Sequence, residues 1–344
     1  AYVTGRTHSS NFPTTTGAYD RTHNGGISDA FVSVLSPAGS GAGDLLYSTF
    51  LGGSMGDTVY GIAVDSSGYA YVTGNTAHDF PTTTGAFDES LNGNGDAFVS
   101  VLNPVSSGAT DLRYSTFLGG WSAEEGYAIV VDASGYVYVT GFALSENFPT
   151  TSGAYDETPN GWYDVFVSML NPAGTGVNDL LYSTYLGGSN YDYGYGIAAS
   201  SSGEIYVTGT ARSSGFHTTS GAYDQTHNGG TNDAFVSVLG PAGSGTADLL
   251  YSTFLGGSGY DQGSGIAVDV SGFAHVTGYT NSSTFPTTTG AYDETANGND
   301  DAFVSVLDPA GFGSADLLES TFLGGTDSER GNAVALDGSG YVYV

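Results

Sequence analysis

The sequence contains neither cysteine nor lysine, and five arginines are its only Lys or Arg residues. Without cysteine, a disulfide framework, a thiolate nucleophile and a cysteine-ligated metal are all excluded. The 344 residues include 35 Asp and Glu, which gives a net charge of −30. Nucleic acids and anionic membrane surfaces are bound mainly through basic side chains, so neither is expected as a partner. Long apolar runs are also missing, so membrane insertion is not expected.

A repeat of about 68 residues dominates what is present. The element YVTG and its variants occur six times, and the valines of successive copies lie 67 to 69 residues apart. These valines are Val3, Val72, Val139, Val207, Val276 and Val344. Five full units therefore fit the chain. Repeats of this length indicate solenoids, propellers or arrays.

Each unit contains four short segments rich in Val, Tyr, Phe and Thr, which we name runs a to d. In the second full unit they span 60–65, 69–73, 97–102 and 112–118. Their residues favour strands, and no helical period of 3.6 residues occurs. The pattern predicts an all-β fold, a β-propeller of five four-stranded blades that is either closed by overlap of its ends or part of a longer array. An open superhelical stack is the alternative.

The chain is expected to form a single propeller domain over 1–344. The predicted unit boundaries lie near 1–59, 60–126, 127–194, 195–263 and 264–330. Residues 331–344 are expected to complete the first blade, which lacks run a. This completion leaves one run b in surplus, and exchange of that strand with a neighbouring molecule would build a filament.

Several stretches carry a family resemblance: DAFVSVL, LLYSTFLGG, GIAVDSSG, YVYVTG and NFPTTTGAYD. They resemble the SBBP-type β-propeller repeat of bacterial and archaeal proteins, and the resemblance extends over all five units. It implies a propeller fold and a secreted or cell-surface location. It implies no particular activity.

Acidic residues recur at fixed positions of the repeat. The d–a loop carries Asp57, Glu124, Asp192, Asp261 and Glu329, and the long b–c loop carries Asp20, Asp88, Asp156, Asp224 and Asp293. Both loops leave the same face of a propeller, and calcium binds six to eight oxygens in loops of this kind. The d–a acids are therefore candidate calcium ligands, and no cofactor other than calcium is expected. Turn capping is the alternative for all these acids. A further column is expected to pin the end of the b–c loop: Asp29, Asp96, Asp164, Asp233 and Asp301.

Aromatic residues accompany the b–c acids and offer a second kind of site. They are Tyr19, Tyr155, Tyr223 and Tyr292, together with Trp162, which interrupts the repeat. Aromatic rings beside carboxylates and hydroxyls are typical of sugar-binding sites. The alternative is that these rings pack each loop onto its blade.

No catalytic motif is found, and HExxH and GxSxG are both missing. Catalysis needs one asymmetric group of residues, whereas these units are nearly equivalent, so the chain is not expected to be an enzyme. We expect a structural or adhesion module of an extracellular or cell-surface protein, with copies of itself, other surface proteins or glycans as partners. The alternatives are a filament subunit and a multivalent carbohydrate-binding propeller.

Overall fold

Strands and turns make up almost the whole of the computed structural model, which describes residues 1–344. The helices are five four-residue 3-10 turns, each placed before run d. The all-β prediction is therefore confirmed. None of the helices is long and apolar enough to cross a membrane.

The strands form antiparallel sheets whose order follows the chain. The first sheet has three strands: β1 (Tyr2–Thr7), β2 (Asp29–Leu35) and β3 (Leu45–Leu51). Four sheets of four strands follow it. They are β4 (Thr58–Val64), β5 (Ala70–Thr76), β6 (Asp96–Leu102) and β7 (Leu112–Leu118); β8 (Glu124–Val131), β9 (Val137–Ala143), β10 (Asp164–Leu170) and β11 (Leu180–Leu186); β12 (Asp192–Ala199), β13 (Ile205–Ala211), β14 (Asp233–Leu239) and β15 (Leu249–Leu255); and β16 (Asp261–Val268), β17 (Ala274–Thr280), β18 (Asp301–Leu307) and β19 (Leu317–Leu323).

The last residues form a separate two-stranded sheet of β20 (Ala335–Leu336) and β21 (Val342–Tyr343). β20 and β21 pair as the a–b hairpin does in the other repeats, and completion of the first blade by residues 331–344 stays a prediction. The unit boundaries, the closure of a ring and strand exchange between molecules stay predictions.

Turn chemistry explains why each a–b connection is tight. In the first, Asp65 Oδ1 accepts the backbone N–H groups of Ser67 and Tyr69, both at 2.9 Å. Gly68 closes the turn at φ 84°, a conformation that residues with a Cβ rarely adopt. Asp132, Asp269 and Asp337 accept the same two backbone N–H bonds in other a–b turns.

Tilted contacts between phenylalanine rings hold four of the b–c loops against their sheets. Phe80 of the loop lies 4.3 Å from the ring of Phe98 in β6, and Phe117 of β7 packs beside it. A buried hydrogen bond of 2.8 Å between Ser100 and Ser115 joins the same two strands. Equivalent phenylalanine trios lie around Phe31, Phe235 and Phe303.

The chain divides into two compact units, residues 1–149 with 168–183, and residues 150–167 with 184–344. Within each unit one backbone hydrogen bond recurs between successive repeats, always at 2.7 Å. In the first unit it joins Gly108 N to Gly17 O and Gly176 N to Gly85 O. In the second it joins Gly245 N to Gly153 O and Gly313 N to Gly221 O.

Candidate functional site

The predicted calcium ligands of the d–a loop lie inside the protein. Asp57, Glu124, Asp192 and Asp261 have no exposed surface, and Glu329 is partly exposed. Each accepts the backbone N–H of the second glycine of the preceding Gly-Gly pair at 2.8 Å. The donors are Gly53, Gly120, Gly188, Gly257 and Gly325. These acids therefore fix the d–a turn, whatever else they bind.

Asp192 shows how completely such a carboxylate can be hydrogen-bonded. Its Oδ2 accepts Gly188 N at 2.8 Å and Ser213 Oγ at 2.7 Å. Its Oδ1 accepts the backbone N–H groups of Arg212 at 3.0 Å and Ser213 at 3.2 Å. Four donors from two loops thus converge on one buried side chain.

A second column of acids, at the start of run c, is equally buried. Its members are Asp29, Asp96, Asp164, Asp233 and Asp301, and none is more than 1% exposed. In each, Oδ2 accepts a backbone N–H from an asparagine of the b–c loop at 2.6 to 3.0 Å. The prediction that these residues pin the end of the loop is confirmed. The other oxygen, Oδ1, is buried in all five and has no hydrogen-bond partner.

The two columns meet at the first glycine of the Gly-Gly pair in three repeats, at Gly52, Gly119 and Gly256. A Cβ placed on Gly119 would lie 2.5 Å from Asp96 Cγ and 2.7 Å from Glu124 Oε2. At Gly256 the corresponding distances are 3.0 Å to Asp233 Cγ and 2.8 Å to Asp261 Oδ2. In these three repeats one carboxylate from each column borders the same small space. We call the combination of the two acids in each repeat a carboxylate pair: Asp29–Asp57, Asp96–Glu124, Asp164–Asp192, Asp233–Asp261 and Asp301–Glu329.

Burial also changes the acidity of the pairs. Burial raises the pKa of Asp96 to about 7. The neighbouring charge of Glu124 also raises this pKa, whereas the hydrogen bond from the backbone N–H of Asn92 lowers it. Burial likewise raises the pKa of Asp233 to about 7 and those of Asp57 and Asp164 to about 6. Loss of water is the largest cause in every case, because a buried carboxylate is costly to ionise.

Groups of three or more His, Cys, Asp or Glu side chains arranged to hold a metal do not occur. A cation at a carboxylate pair would therefore take its remaining ligands from backbone carbonyls or water. The structure places the d–a acids Asp57, Glu124 and Asp261 beside run c acids that were expected only to pin a loop, and calcium binding at the d–a acids stays a prediction. The b–c acids are not members of the carboxylate pairs.

Those b–c acids cap their own loops. Asp88 Oδ1 accepts Ser90 N at 2.9 Å, and its Oδ2 accepts the side-chain amide of Asn92. The same two bonds recur at the other b–c acids: Asp20, Asp156, Asp224 and Asp293. The spacing Asp-x-Ser/Thr-x-Asn, visible in all five loops, is the sequence signal for this turn.

The loop aromatics do not share one environment. Tyr19, Tyr155 and Tyr223 are partly buried, whereas Tyr292 is 85% exposed. Burial raises the pKa of Tyr19 to about 12, and the adjacent charge of Asp20 adds to this rise. Trp162 is 66% exposed and stacks on Tyr191 with ring centroids 6.3 Å apart. The five positions therefore do not make five equivalent sites.

One of these aromatics borders a cavity of about 440 Å³. Tyr155 and Asp156 line it together with His217, Thr219 and Leu249. The rings of Tyr155 and His217 meet edge to face at 5.9 Å. His217 was not predicted to be a site residue, and it stands where other repeats have a proline (Pro13, Pro81, Pro149 and Pro286).

Comparison with known families finds the β-propeller repeat named SBBP at residues 46–81, 181–217 and 250–286. Each match begins in run d and ends in the b–c loop just beyond run b, so it includes the Gly-Gly pair and the d–a acid. The resemblance drawn from the sequence motifs is confirmed. No curated protein matches the chain in sequence.

Proposed function

Since the chain carries SBBP β-propeller repeats, we propose that it is a structural module of an extracellular or cell-surface protein, without enzymatic activity. In this proposal its sheets are the blades of a five-bladed propeller or of a longer array. Its partners are copies of itself or other surface proteins.

The recurrence of one bond between repeats carries this proposal. The glycine N–H to glycine C=O bond has the same length of 2.7 Å at four successive steps, two in each compact unit. Arrays whose units contact their neighbours in the same way are stabilised by the sum of equivalent interfaces. Equivalent interfaces serve a scaffold, whereas an active site would require one step to differ.

Labelling of intact cells tests the location. Antibodies raised against the purified chain should bind the surface of cells that produce it, and brief protease treatment of the cells should remove the signal. Binding that requires permeabilised cells would contradict a surface role.

The cavity beside Tyr155 favours a second candidate, carbohydrate binding at one repeat. An aromatic ring, a carboxylate and threonine hydroxyls border it, and these groups suit a sugar. A glycan array probed with the purified chain tests this candidate. Binding should be lost in Tyr155→Ala and kept in Tyr223→Ala, which changes the equivalent tyrosine of the next repeat. No signal across the array would remove the candidate.

A further inference from the structure

Each carboxylate pair buries two acidic groups with almost no basic side chain to balance them. The ion pairs of the molecule involve Asp29, Asp269 and Asp300, and of these only Asp29 belongs to a carboxylate pair. Its partner His23 lies 3.7 Å from Oδ1. Buried charges in proteins are normally paired or bound to metals. His227 lies close enough to Asp261 of the fourth pair to oppose the rise of its pKa, so a basic group accompanies two of the five pairs and three lack a counter-charge.

The unpartnered oxygen gives the second observation. Asp Oδ1 is buried without a hydrogen bond at the same atom in all five repeats. Buried polar atoms nearly always have a partner, and an unmet one calls for a missing water, proton or ion. Because Oδ1 lacks a hydrogen bond at the equivalent aspartate of all five repeats, this feature belongs to the repeat itself.

The space beside this oxygen is kept open by glycine. A side chain on Gly119 or Gly256 would collide with both members of the adjacent pair, since its Cβ would lie within 3.0 Å of each carboxylate. The first glycine of Gly-Gly therefore leaves room where the two carboxylates approach one another. The groups bordering it are oxygens, which hard cations such as calcium prefer over nitrogen or sulfur.

We propose that each carboxylate pair binds one hard divalent cation, calcium in the first instance, which the unpartnered aspartate oxygen ligates. The cation joins the start of run c to the d–a loop that leads into the next repeat. The fifth pair, with its partly exposed Glu329, is the weakest site. This inference concerns the stability of the array and holds wherever the protein is located, so it can fail independently of the proposed function.

Calorimetric titration of the full chain with calcium chloride, after removal of metals with EDTA at pH 8, tests the proposal. We expect saturable binding near five ions per chain and a higher melting temperature in calcium than in EDTA. Sodium chloride at matched ionic strength should not reproduce the rise, which separates site binding from screening of the −30 charge.

The variant Asp96→Asn assigns the binding to a particular pair. Asparagine keeps an oxygen that can accept Asn92 N, so the loop should still fold, and circular dichroism checks this. The stoichiometry should fall by one, whereas Glu146→Gln, which removes an exposed acid of the same repeat array, should leave it unchanged. Should Asp96→Asn not fold, Asp164→Asn at the third pair gives the same reading, since Oδ2 of Asp164 likewise accepts a backbone N–H, from Asn160 at 2.8 Å.

A shared proton is the competing explanation of the unpartnered oxygen. In that case calcium produces no saturable heat, and Asp96→Asn raises the melting temperature in EDTA because one buried charge is removed. Either absence of saturable binding or an unchanged stoichiometry in Asp96→Asn would overturn the proposal.

Discussion

The carboxylate pairs and the b–c acids recur with the same period, yet they differ in almost every physical respect. Asp96 is fully buried and has one oxygen without a partner. Asp88, eight residues earlier, is partly exposed, and both of its oxygens accept bonds from its own loop. Periodicity alone therefore does not identify a site. The carboxylate pairs are distinguished from the b–c acids by burial together with an aspartate oxygen that lacks a hydrogen bond.

The largest effect that separates the two sets is the pH dependence of the metal-free protein. In the folded chain the pKa of Asp96 and Asp233 is about 7, well above the unfolded value of 3.8. Between about pH 4 and 7 the folded chain thus holds protons that the unfolded chain has released. The free energy of unfolding in EDTA should fall as pH rises through this range, and denaturant titrations measure it. A rise would contradict the burial of these pairs.

Removal of a d–a acid should be the most damaging single substitution. Asp192→Ala leaves the donors on Gly188, Arg212 and Ser213 without an acceptor in the protein interior. We expect a loss of about 3–5 kcal/mol in the free energy of unfolding by urea, since several buried donors lose their partners at once. Asp156→Ala, which removes a b–c cap, should cost about 1 kcal/mol. Equal losses would remove the distinction between the two sets.

A methyl group at the glycine between two paired carboxylates should have a smaller effect. Gly119→Ala places its Cβ 2.5 Å from Asp96 Cγ, so the pair must separate. We expect a loss of about 2–3 kcal/mol in the free energy of unfolding. Gly215→Ala is the control, because no atom lies within 4 Å of its Cβ, and it should change stability by less than about 0.5 kcal/mol.

The smallest effect concerns a hydroxyl that links neighbouring repeats. Tyr251 is 1% exposed, donates to Asp316 Oδ2 at 3.1 Å and accepts Tyr223 N at 3.2 Å. Tyr251→Phe should lower the free energy of unfolding by about 1–2 kcal/mol. Tyr292→Phe, at an exposed ring, should be neutral. A neutral Tyr251→Phe would mean that this bond adds little between repeats.

Most of the fold could be predicted because its cause is local. Runs of Val, Tyr, Phe and Thr separated by Asp-Gly turns specify strands and hairpins, and their equal spacing specifies the repeat. The hairpin of the C-terminal strands is equally local, since β20 and β21 pair as runs a and b do in the other repeats. Whether these strands also complete the first blade depends on tertiary contacts, so the sequence alone does not predict it.

Only part of the candidate site could be predicted, because the approach of the two acids in a carboxylate pair is a tertiary property. Asp57 and Asp29 were both recognised as members of repeated columns, but their approach depends on how successive strands are packed. An unmet hydrogen bond on Oδ1 leaves no trace in a sequence. The capping role of the b–c acids, in contrast, was readable from Asp-x-Ser/Thr-x-Asn, because that turn closes within five residues.

An anomalous difference map is the most direct test of the central claim that the carboxylate pairs are the cation sites of this protein. Crystals grown in calcium would be measured at a long wavelength, where calcium scatters anomalously. The account predicts a peak between Asp96 and Glu124 and at the equivalent position of the other pairs. Peaks confined to the b–c acids, or a map without peaks at the pairs, would contradict it.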